Sequence, residues 1–174
     1  MRIIAGTHKG RKINPPNNLN VRPTTDRAKE ALFSIINSRY FFTEKTVLDL
    51  FSGTGNIALE FISRGVQNVI TVDNNIHCVD FITSTSKSFD IDISIVQSDA
   101  LKYVQNCKGS FNFIFADPPY NYQKYQELKD LIIKNNLVKK DGLLIIEHDK
   151  ETVFDDVNVE VRKYGTVHFS IFSF

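Results

Sequence analysis

The sequence predicts an α/β protein built on one doubly wound, mostly parallel sheet of seven strands in the order 3-2-1-4-5-7-6, with a small N-terminal hairpin and helix ahead of it. Three observations predict it. From Thr46 onward, apolar runs alternate with amphipathic ones, the pattern of parallel strands joined by helices that cover both faces. The first apolar run ends in a glycine-rich loop, Asp49-Leu50-Phe51-Ser52-Gly53-Thr54-Gly55, at the strand end where such sheets hold ligands. Finally, the alternation stops near the C-terminus. Residues 159–163 and 166–172 are strand-like runs around Tyr164-Gly165, a hairpin that should close the sheet in the antiparallel sense.

Each element follows from its local pattern. Residues 2–5 and 11–13, around Gly6 and Gly10, can pair as a hairpin, and Pro15-Pro16-Asn17-Asn18 reads as a linker. Pro23, with Thr24 or Thr25 as cap, opens a helix to about Ser38 whose buried stripe is Ala28, Leu32, Ile35 and Ile36. Residues 47–51 are the first strand of the alternating region. A helix over about 56–63 follows, with Ile57/Phe61 and Ala58/Ile62 four residues apart. Residues 68–72 and 92–97 are the second and third strands, separated by a helix of weaker pattern over 76–88. A short helical turn over 101–105 leads to the fourth strand, 111–116. Tyr125, Leu128, Leu131 and Ile132 stripe one face of a longer helix before the fifth strand, 142–147. The expected organisation is a basic N-terminal arm over residues 1–24 and a single catalytic domain over residues 25–174.

Composition narrows the class. A chain of 174 residues, 42% hydrophobic and 24% charged, is long enough to bury about 70% of its unfolded surface as one globular domain. No apolar run reaches the roughly 18 residues of a membrane span, and the polar Thr7-His8-Lys9 interrupts any leader-like apolar segment. Cys78 and Cys107 form no Cys-x-x-Cys pair, so two free thiols and a cytoplasmic location are expected. His8, His77, His148 and His168 lack metal-ligand spacing, and no metal is expected. Net charge is +1, yet residues 1–30 carry seven basic side chains against two acidic ones, and the remainder fourteen against eighteen. A basic arm (Arg2, Lys9, Arg11, Lys12, Arg22, Arg27 and Lys29) on a mildly acidic body suits a nucleic-acid partner. Charge alone equally suits a solvated terminal segment.

The glycine loop narrows the chemistry. Gly53-Thr54-Gly55-Asn56-Ile57-Ala58 matches Gly-x-Gly-x-x-Gly/Ala, and Asp73 follows Gly53 by 20 residues, which is also the spacing of a dinucleotide fingerprint. Both kinds of site need glycine for close backbone approach and an acid for ribose hydroxyls. They differ in what flanks the loop. A pyrophosphate seeks a helix N-terminus without an adjacent acid; Asp49 would repel it but would suit the ammonium of a methionine moiety. The loop therefore favours S-adenosylmethionine, with Asp49, Phe51, Ser52, Gly53, Gly55, Asp73 and Asn74 as candidate cofactor residues. Asp99, followed by Ala100, could accept the adenine amine, cap the next helix, or do both.

The second motif is Asp117-Pro118-Pro119-Tyr120, after the fourth strand. An aryl amine is a poor nucleophile because its lone pair is delocalised into the ring. A carboxylate and a carbonyl that accept its two N–H bonds draw the nitrogen toward tetrahedral geometry and free that pair. Paired prolines hold the Pro118 carbonyl in one direction, and Tyr120 offers a face on which an extruded base can stack. The fold order makes strands one and four neighbours, so the two loops should face each other across one crevice. Asp117, Pro118 and Tyr120 are the candidate catalytic residues, and an exocyclic amine of a nucleobase is the expected acceptor.

Met1-Arg2-Ile3-Ile4-Ala5-Gly6 with Lys9-Gly10-Arg11, Arg22-Pro23-Thr24-Thr25-Asp26-Arg27, Glu30-Ala31-Leu32-Phe33, Ser63-Arg64-Gly65 and the two loops resemble the bacterial small-subunit ribosomal RNA guanine-N2 methyltransferase family. The resemblance covers nearly the whole chain. It implies a Rossmann-like class I S-adenosylmethionine-dependent methyltransferase, monomeric, that modifies guanine 966 of 16S rRNA in assembled or partly assembled small subunits. It also implies that Asp117 and Pro118 polarise the guanine amine, that Tyr120 stacks on the base, and that Gly53, Gly55 and Asp73 hold the cofactor. Rival readings are an N6-adenine nucleic-acid methyltransferase, a nicotinamide-dependent oxidoreductase domain and a non-catalytic RNA-binding module. The first would need a separate target-recognition segment, the second a catalytic domain, and the third leaves Asp73 and Asp117 without a role.

Overall fold

The computed structural model describes residues 1–16, 19, 24–119 and 121–174; Asn17 and Asn18 of the expected linker, and Arg22, Pro23 and Tyr120, all named above, lie outside them. The described chain runs α1 (Asp26–Asn37), β1 (Thr46–Leu50), α2 (Asn56–Ser63), β2 (Asn68–Asp73), α3 (Ile76–Phe89), β3 (Ser94–Gln97), α4 (Ala100–Asn106), β4 (Phe111–Ala116), α5 (Tyr125–Lys134), β5 (Val138–His148), β6 (Glu160–Tyr164) and β7 (Val167–Ser173). The strands form one sheet in the order β3-β2-β1-β4-β5-β7-β6, as the sequence predicts. β1 to β5 are parallel, and β7 pairs antiparallel with both β5 and β6.

Successive side chains of a strand point to opposite faces, and both faces here are covered. Val47, Phe113, Phe115, Leu143, Ile145, Phe169 and Ile171 meet α1 and α2 on one side. Leu48, Leu50, Ile114, Ala116, Leu144 and Ile146 meet α4 and α5 on the other. Strands buried on both faces read as continuous apolar runs, which is why β1, β4 and β5 stand out in the sequence.

The differences are local. The first strand ends at Leu50, one residue earlier than expected, because Phe51 adopts a left-handed conformation (φ 58°) that turns the chain off the sheet. β5 starts at Val138 rather than 142, because residues 138–142 hold an irregular register against β4. The third strand begins at Ser94 rather than 92. In α1, Thr25 caps the helix by accepting from the Ala28 amide. Ile35 is only partly buried, while Phe33 and Lys29 are wholly buried.

The N-terminal segment pairs antiparallel as expected, though neither side is long enough to count as a regular strand: Arg2 bridges Lys12, the Ile3 amide donates to the Arg11 carbonyl at 2.9 Å, the Gly10 amide to the Ile3 carbonyl at 2.9 Å and the Ile13 amide to the Met1 carbonyl at 3.1 Å. Ile3 and Ile13 pack on Leu59 of α2, and the Ile4 and Ala5 amides donate to the Glu60 carboxylate at 2.7 and 3.1 Å. Gly6 (φ 84°) lies against the end of α2, where a Cβ would stand 1.6 Å from the Ser63 carbonyl oxygen, so no other residue fits. Lys29, counted above among the basic residues of the arm, is corrected: its side chain is fully buried and ion-paired with Glu60. Arg2, Lys9, Arg11, Lys12 and Arg27 are exposed.

Candidate active site

The site lies where the carboxyl ends of β1 and β4 adjoin. Leu50 stands beside Ala116 in register, so the glycine loop and the Asp117 loop leave the sheet side by side. Between them opens a cleft of about 630 Å³, a size suited to a nucleoside-sized ligand. Asp49, Phe51, Ser52, Gly53, Asp73, Asn74, Asp99, Asp117 and Pro118 all line it. Two expected cofactor residues do not: Gly55 and Ala100 are absent from its walls. Ala100 is buried at the first position of α4. Gly55 precedes α2 with φ 71°, and a Cβ there would press on Ile82 at 3.1 Å. Its glycine serves the loop's conformation and the fit of α3.

The loop is held by its own acids. Asp73 Oδ2 accepts from the Gly53 amide at 2.7 Å and Oδ1 from the Asn75 amide at 2.9 Å. A carboxylate has about four acceptor positions, so Asp73 both shapes the loop and retains capacity for hydroxyls. The Ser52 amide donates to the Val72 carbonyl at 3.1 Å, fixing the turn that follows Phe51.

Asp49 is almost wholly buried, and its Oδ2 accepts from the Ala58 amide at 3.2 Å. Burial pushes its carboxyl up to about 8; the Ala58 amide pulls it down and the nearby Asp73 carboxylate pushes it further up. Such a group ionises readily only when a cation arrives beside it. Asp99 caps α4 by accepting from the Lys102 amide at 2.9 Å while lining the cleft.

Several lining residues are not among the site residues expected from the sequence. Thr24, Thr54 and Asn56 join the glycine-loop side, and Tyr122 and Tyr125 follow the acceptor loop. Glu147, His148 and Asp149 stand at the end of β5; the rule that ligands sit beyond strand carboxyl ends could have found them. Glu147 accepts from the Thr24 hydroxyl at 2.8 Å. His148 is held by the Asp149 carbonyl (2.6 Å) and the Ser170 hydroxyl (2.8 Å). Burial holds its pKa below the ordinary histidine value, and so does the stacked His168, against the opposing pull of the Asp149 carbonyl.

The buried hydroxyl oxygens of Ser52 and Tyr122 find no hydrogen-bond partner among the described residues, and both residues line the cleft. Buried polar atoms are normally satisfied. The donor set therefore fits S-adenosylmethionine: a buried acid for an ammonium, an acid with spare acceptors for a ribose, and hydroxyls in want of partners. No group of three or more metal-ligating side chains occurs among the described residues. Nor is any described helix long and apolar enough to cross a membrane.

Comparison with known proteins agrees with the geometry. A sequence profile of the family described as "Conserved hypothetical protein 95" matches residues 1–173. The chain is 33% identical to the "Putative rRNA methyltransferase YlbH" of Bacillus subtilis, over 99% of this chain and 98% of that one. It is 31% identical to the "Ribosomal RNA small subunit methyltransferase D" of Haemophilus influenzae, over 87% and 80% of the two chains. Among solved structures, the "Putative methyltransferase yhhF" of Escherichia coli superposes with a TM-score of 0.85 at 25% identity, covering 99% of this chain and 97% of that one. With a profile match along nearly its full length and close relatives at both levels, the chain belongs to the family of the ribosomal RNA small subunit methyltransferase D proteins.

Proposed function

We propose that this protein transfers a methyl group from S-adenosylmethionine to the exocyclic N2 amine of a guanine in 16S rRNA. It would act as a cytoplasmic monomer on the small ribosomal subunit or its assembly intermediate. One observation carries the reading: the glycine loop with Asp49 and Asp73, and the acceptor loop with Asp117 and Pro118, open onto a single cleft. Bound there, S-adenosylmethionine supplies the methyl group; Asp49 pairs with its ammonium, Asp73 accepts from its ribose and Asp99 from its adenine amine.

The chain's own work is on the acceptor. The Asp117 carboxylate and Pro118 carbonyl accept the two amine N–H bonds, which localises the nitrogen lone pair for attack, and Asp117 offers a base for the proton the amine then loses. Tyr120 stacks on the extruded base. Guanine over adenine is supported by the character of this end of the cleft, where Asp117, Glu147 and Asp149 surround Tyr125. Guanine presents two adjacent donors, N1–H and the N2 amine, on its pairing edge, whereas adenine presents an acceptor beside its amine. The N-terminal arm, residues 1–24 with the adjoining Arg27, would hold rRNA phosphates through Arg2, Lys9, Arg11, Lys12, Arg22 and Arg27.

Nucleoside mass spectrometry after incubating the protein and S-adenosylmethionine with naked 16S rRNA and with unmodified small subunits tests this reading. N2-methylguanosine is expected, with subunits the better substrate. N6-methyladenosine would move the assignment to the adenine class, and no methylated nucleoside from either substrate would overturn it.

A further inference from the structure

The strand order β1-β4-β5 sets three groups in a row along the cleft: the glycine loop after β1, Asp117 after β4, and Glu147 near the end of β5. Ala116 stands opposite Ile146 in register, so Asp117 and Glu147 take neighbouring positions on strands about 4.8 Å apart. Both line the cleft. An amine attacks with its ring behind it. A base whose amine sits at Asp117 therefore extends away from the glycine loop, toward β5.

Glu147 is held there as a fixed acceptor. It lies two residues beyond Ile145 of the α1–α2 side, and alternation along the strand turns it to that same side. The Thr24 hydroxyl, just ahead of α1, donates to its Oε2 at 2.8 Å, and both residues are buried. Thr24 is itself anchored: its carbonyl accepts from Asn56 Nδ2 at 3.2 Å, and Asn56 Oδ1 accepts from the Lys29 ammonium at 2.7 Å. One hydroxyl orients a carboxylate without exhausting its roughly four acceptor positions. The other acid of this end is differently engaged. Asp149 Oδ1 accepts from the Glu151 amide at 3.0 Å and from the Thr152 amide and hydroxyl at 3.1 and 3.2 Å, which shapes its own turn.

We infer that Glu147, oriented by Thr24, determines the choice of base: its carboxylate accepts from the N1–H that adjoins the reacting amine of guanine. This rests on the reading of the cleft as a guanine-N2 methylation site. Thr24 is a positioning residue, acting through Glu147. A purine with a lone pair at N1 would set that pair against the carboxylate, and a site built to accept a donor rejects such an analogue strongly. 2-Aminopurine is the discriminating base, because it keeps the 2-amine and replaces N1–H with an acceptor.

The test is methylation by the full chain of small subunits reconstituted with ligated 16S rRNA that carries guanine or 2-aminopurine at the methylated position. The wild type should prefer guanine by at least about tenfold in kcat/KM. In Glu147→Gln the Thr24 hydroxyl can still donate to the side-chain carbonyl, which leaves the amide N–H groups for the base. The guanine to 2-aminopurine ratio should then fall by at least about tenfold, the worth of one hydrogen bond to a charged group, and the intrinsic reactivities of the two amines cancel in that comparison. Thr24→Val should lower the ratio in the same sense, and Thr24→Ser should restore it. An equal ratio in wild type and Glu147→Gln would overturn the role of Glu147 while leaving guanine methylation intact. A wild type that methylates 2-aminopurine as fast as guanine would overturn it without any variant. A Glu147→Gln loss matched by an equal loss of S-adenosylhomocysteine affinity would make the residue structural and overturn the role equally. A wild type that methylates adenine, or neither base, would overturn the guanine reading first, and this inference with it.

Discussion

Lys29 and Glu60, both with fully buried side chains, face each other at 3.2 Å between α1 and α2. The ammonium also donates to the Arg2 carbonyl and to Asn56 Oδ1, each at 2.7 Å. The carboxylate accepts from the Ile4 and Ala5 amides and from Arg64 Nε. One ion pair thus ties the N-terminal segment to α1 and to Asn56, the first residue of the helix that follows the glycine loop.

Lys29→Met should destabilise the protein by about 3–5 kcal/mol, because it leaves a buried carboxylate without one of its two cations, the fully buried one. Urea denaturation measures this directly. A loss below about 1 kcal/mol would mean that Arg64 alone compensates Glu60.

How far the sequence leads depends on whether the deciding partners are local. β1, β4 and β5 are legible because burial on both faces leaves long apolar runs, and the two loops because each sits at the end of one. Lys29 is not: a lysine in an amphipathic helix reads as surface, and its burial depends on Glu60 and Asn56, brought in by another helix. Gly55 fits the glycine fingerprint yet answers to Ile82 of α3, a packing relation that no local pattern encodes. Tyr125 reads as part of a helix stripe, and it is also part of the cleft wall.

Asp49 should make stability depend on pH. Its folded carboxyl is pushed up to about 8 by burial, whereas the unfolded side chain ionises near 4. The folded state therefore holds the proton more tightly, and its advantage is full below the unfolded value and lost as pH rises toward 8. Asp49→Asn, which cannot ionise, should gain in melting temperature relative to wild type between about pH 5 and 8, by roughly 2–4 °C for each kcal/mol relieved. A constant difference across that range would show that Asp49 does not titrate there. The cofactor reading adds a second expectation. An ammonium beside Asp49 should release close to one proton on binding at pH 7, seen as a buffer-dependent heat in calorimetry that is absent in Asp49→Asn.

Asp117→Ala should lower kcat by about 10²–10⁴ with little change in S-adenosylhomocysteine affinity, since the carboxylate is assigned to the acceptor amine. Single-turnover methylation of small subunits separates the two quantities. Retention of more than about a third of wild-type kcat would remove Asp117 from the chemistry.

Asp73→Ala should weaken S-adenosylhomocysteine by about 1.5–3 kcal/mol, the usual worth of hydrogen bonds to a charged group. The Gly53 and Asn75 amides lose their acceptors at the same time, so part of that loss is loop disorder. Comparison with a 2′-deoxyribose analogue divides the two causes: the analogue should bind the wild type more weakly and the variant no worse than the parent ligand does. Calorimetry with the same penalty for the analogue in both proteins would leave Asp73 as a loop-shaping residue alone.

The basic segment should bind RNA phosphates without reading sequence, but its members are not equivalent. Arg11 donates to the Phe89 carbonyl at 3.0 Å and lies 5.0 Å over the Phe89 ring, so its removal disturbs packing on α3 as well as charge. Arg2 lies 3.6 Å from the Asp26 carboxylate, which already offsets part of its field. Lys9, Lys12 and Arg27 are exposed and are the cleaner probes. Removing one cation that neutralises a phosphate lowers the log–log salt slope of RNA binding by about 0.7–0.9. Replacing Lys9, Lys12 and Arg27 with Ala together should therefore cut the slope by roughly 2–3, leaving S-adenosylhomocysteine affinity and melting temperature near wild type. Arg11→Ala should lower both the slope and the melting temperature. An unchanged slope in the triple variant would make this face a solvated surface and shift RNA binding to the rim of the cleft itself.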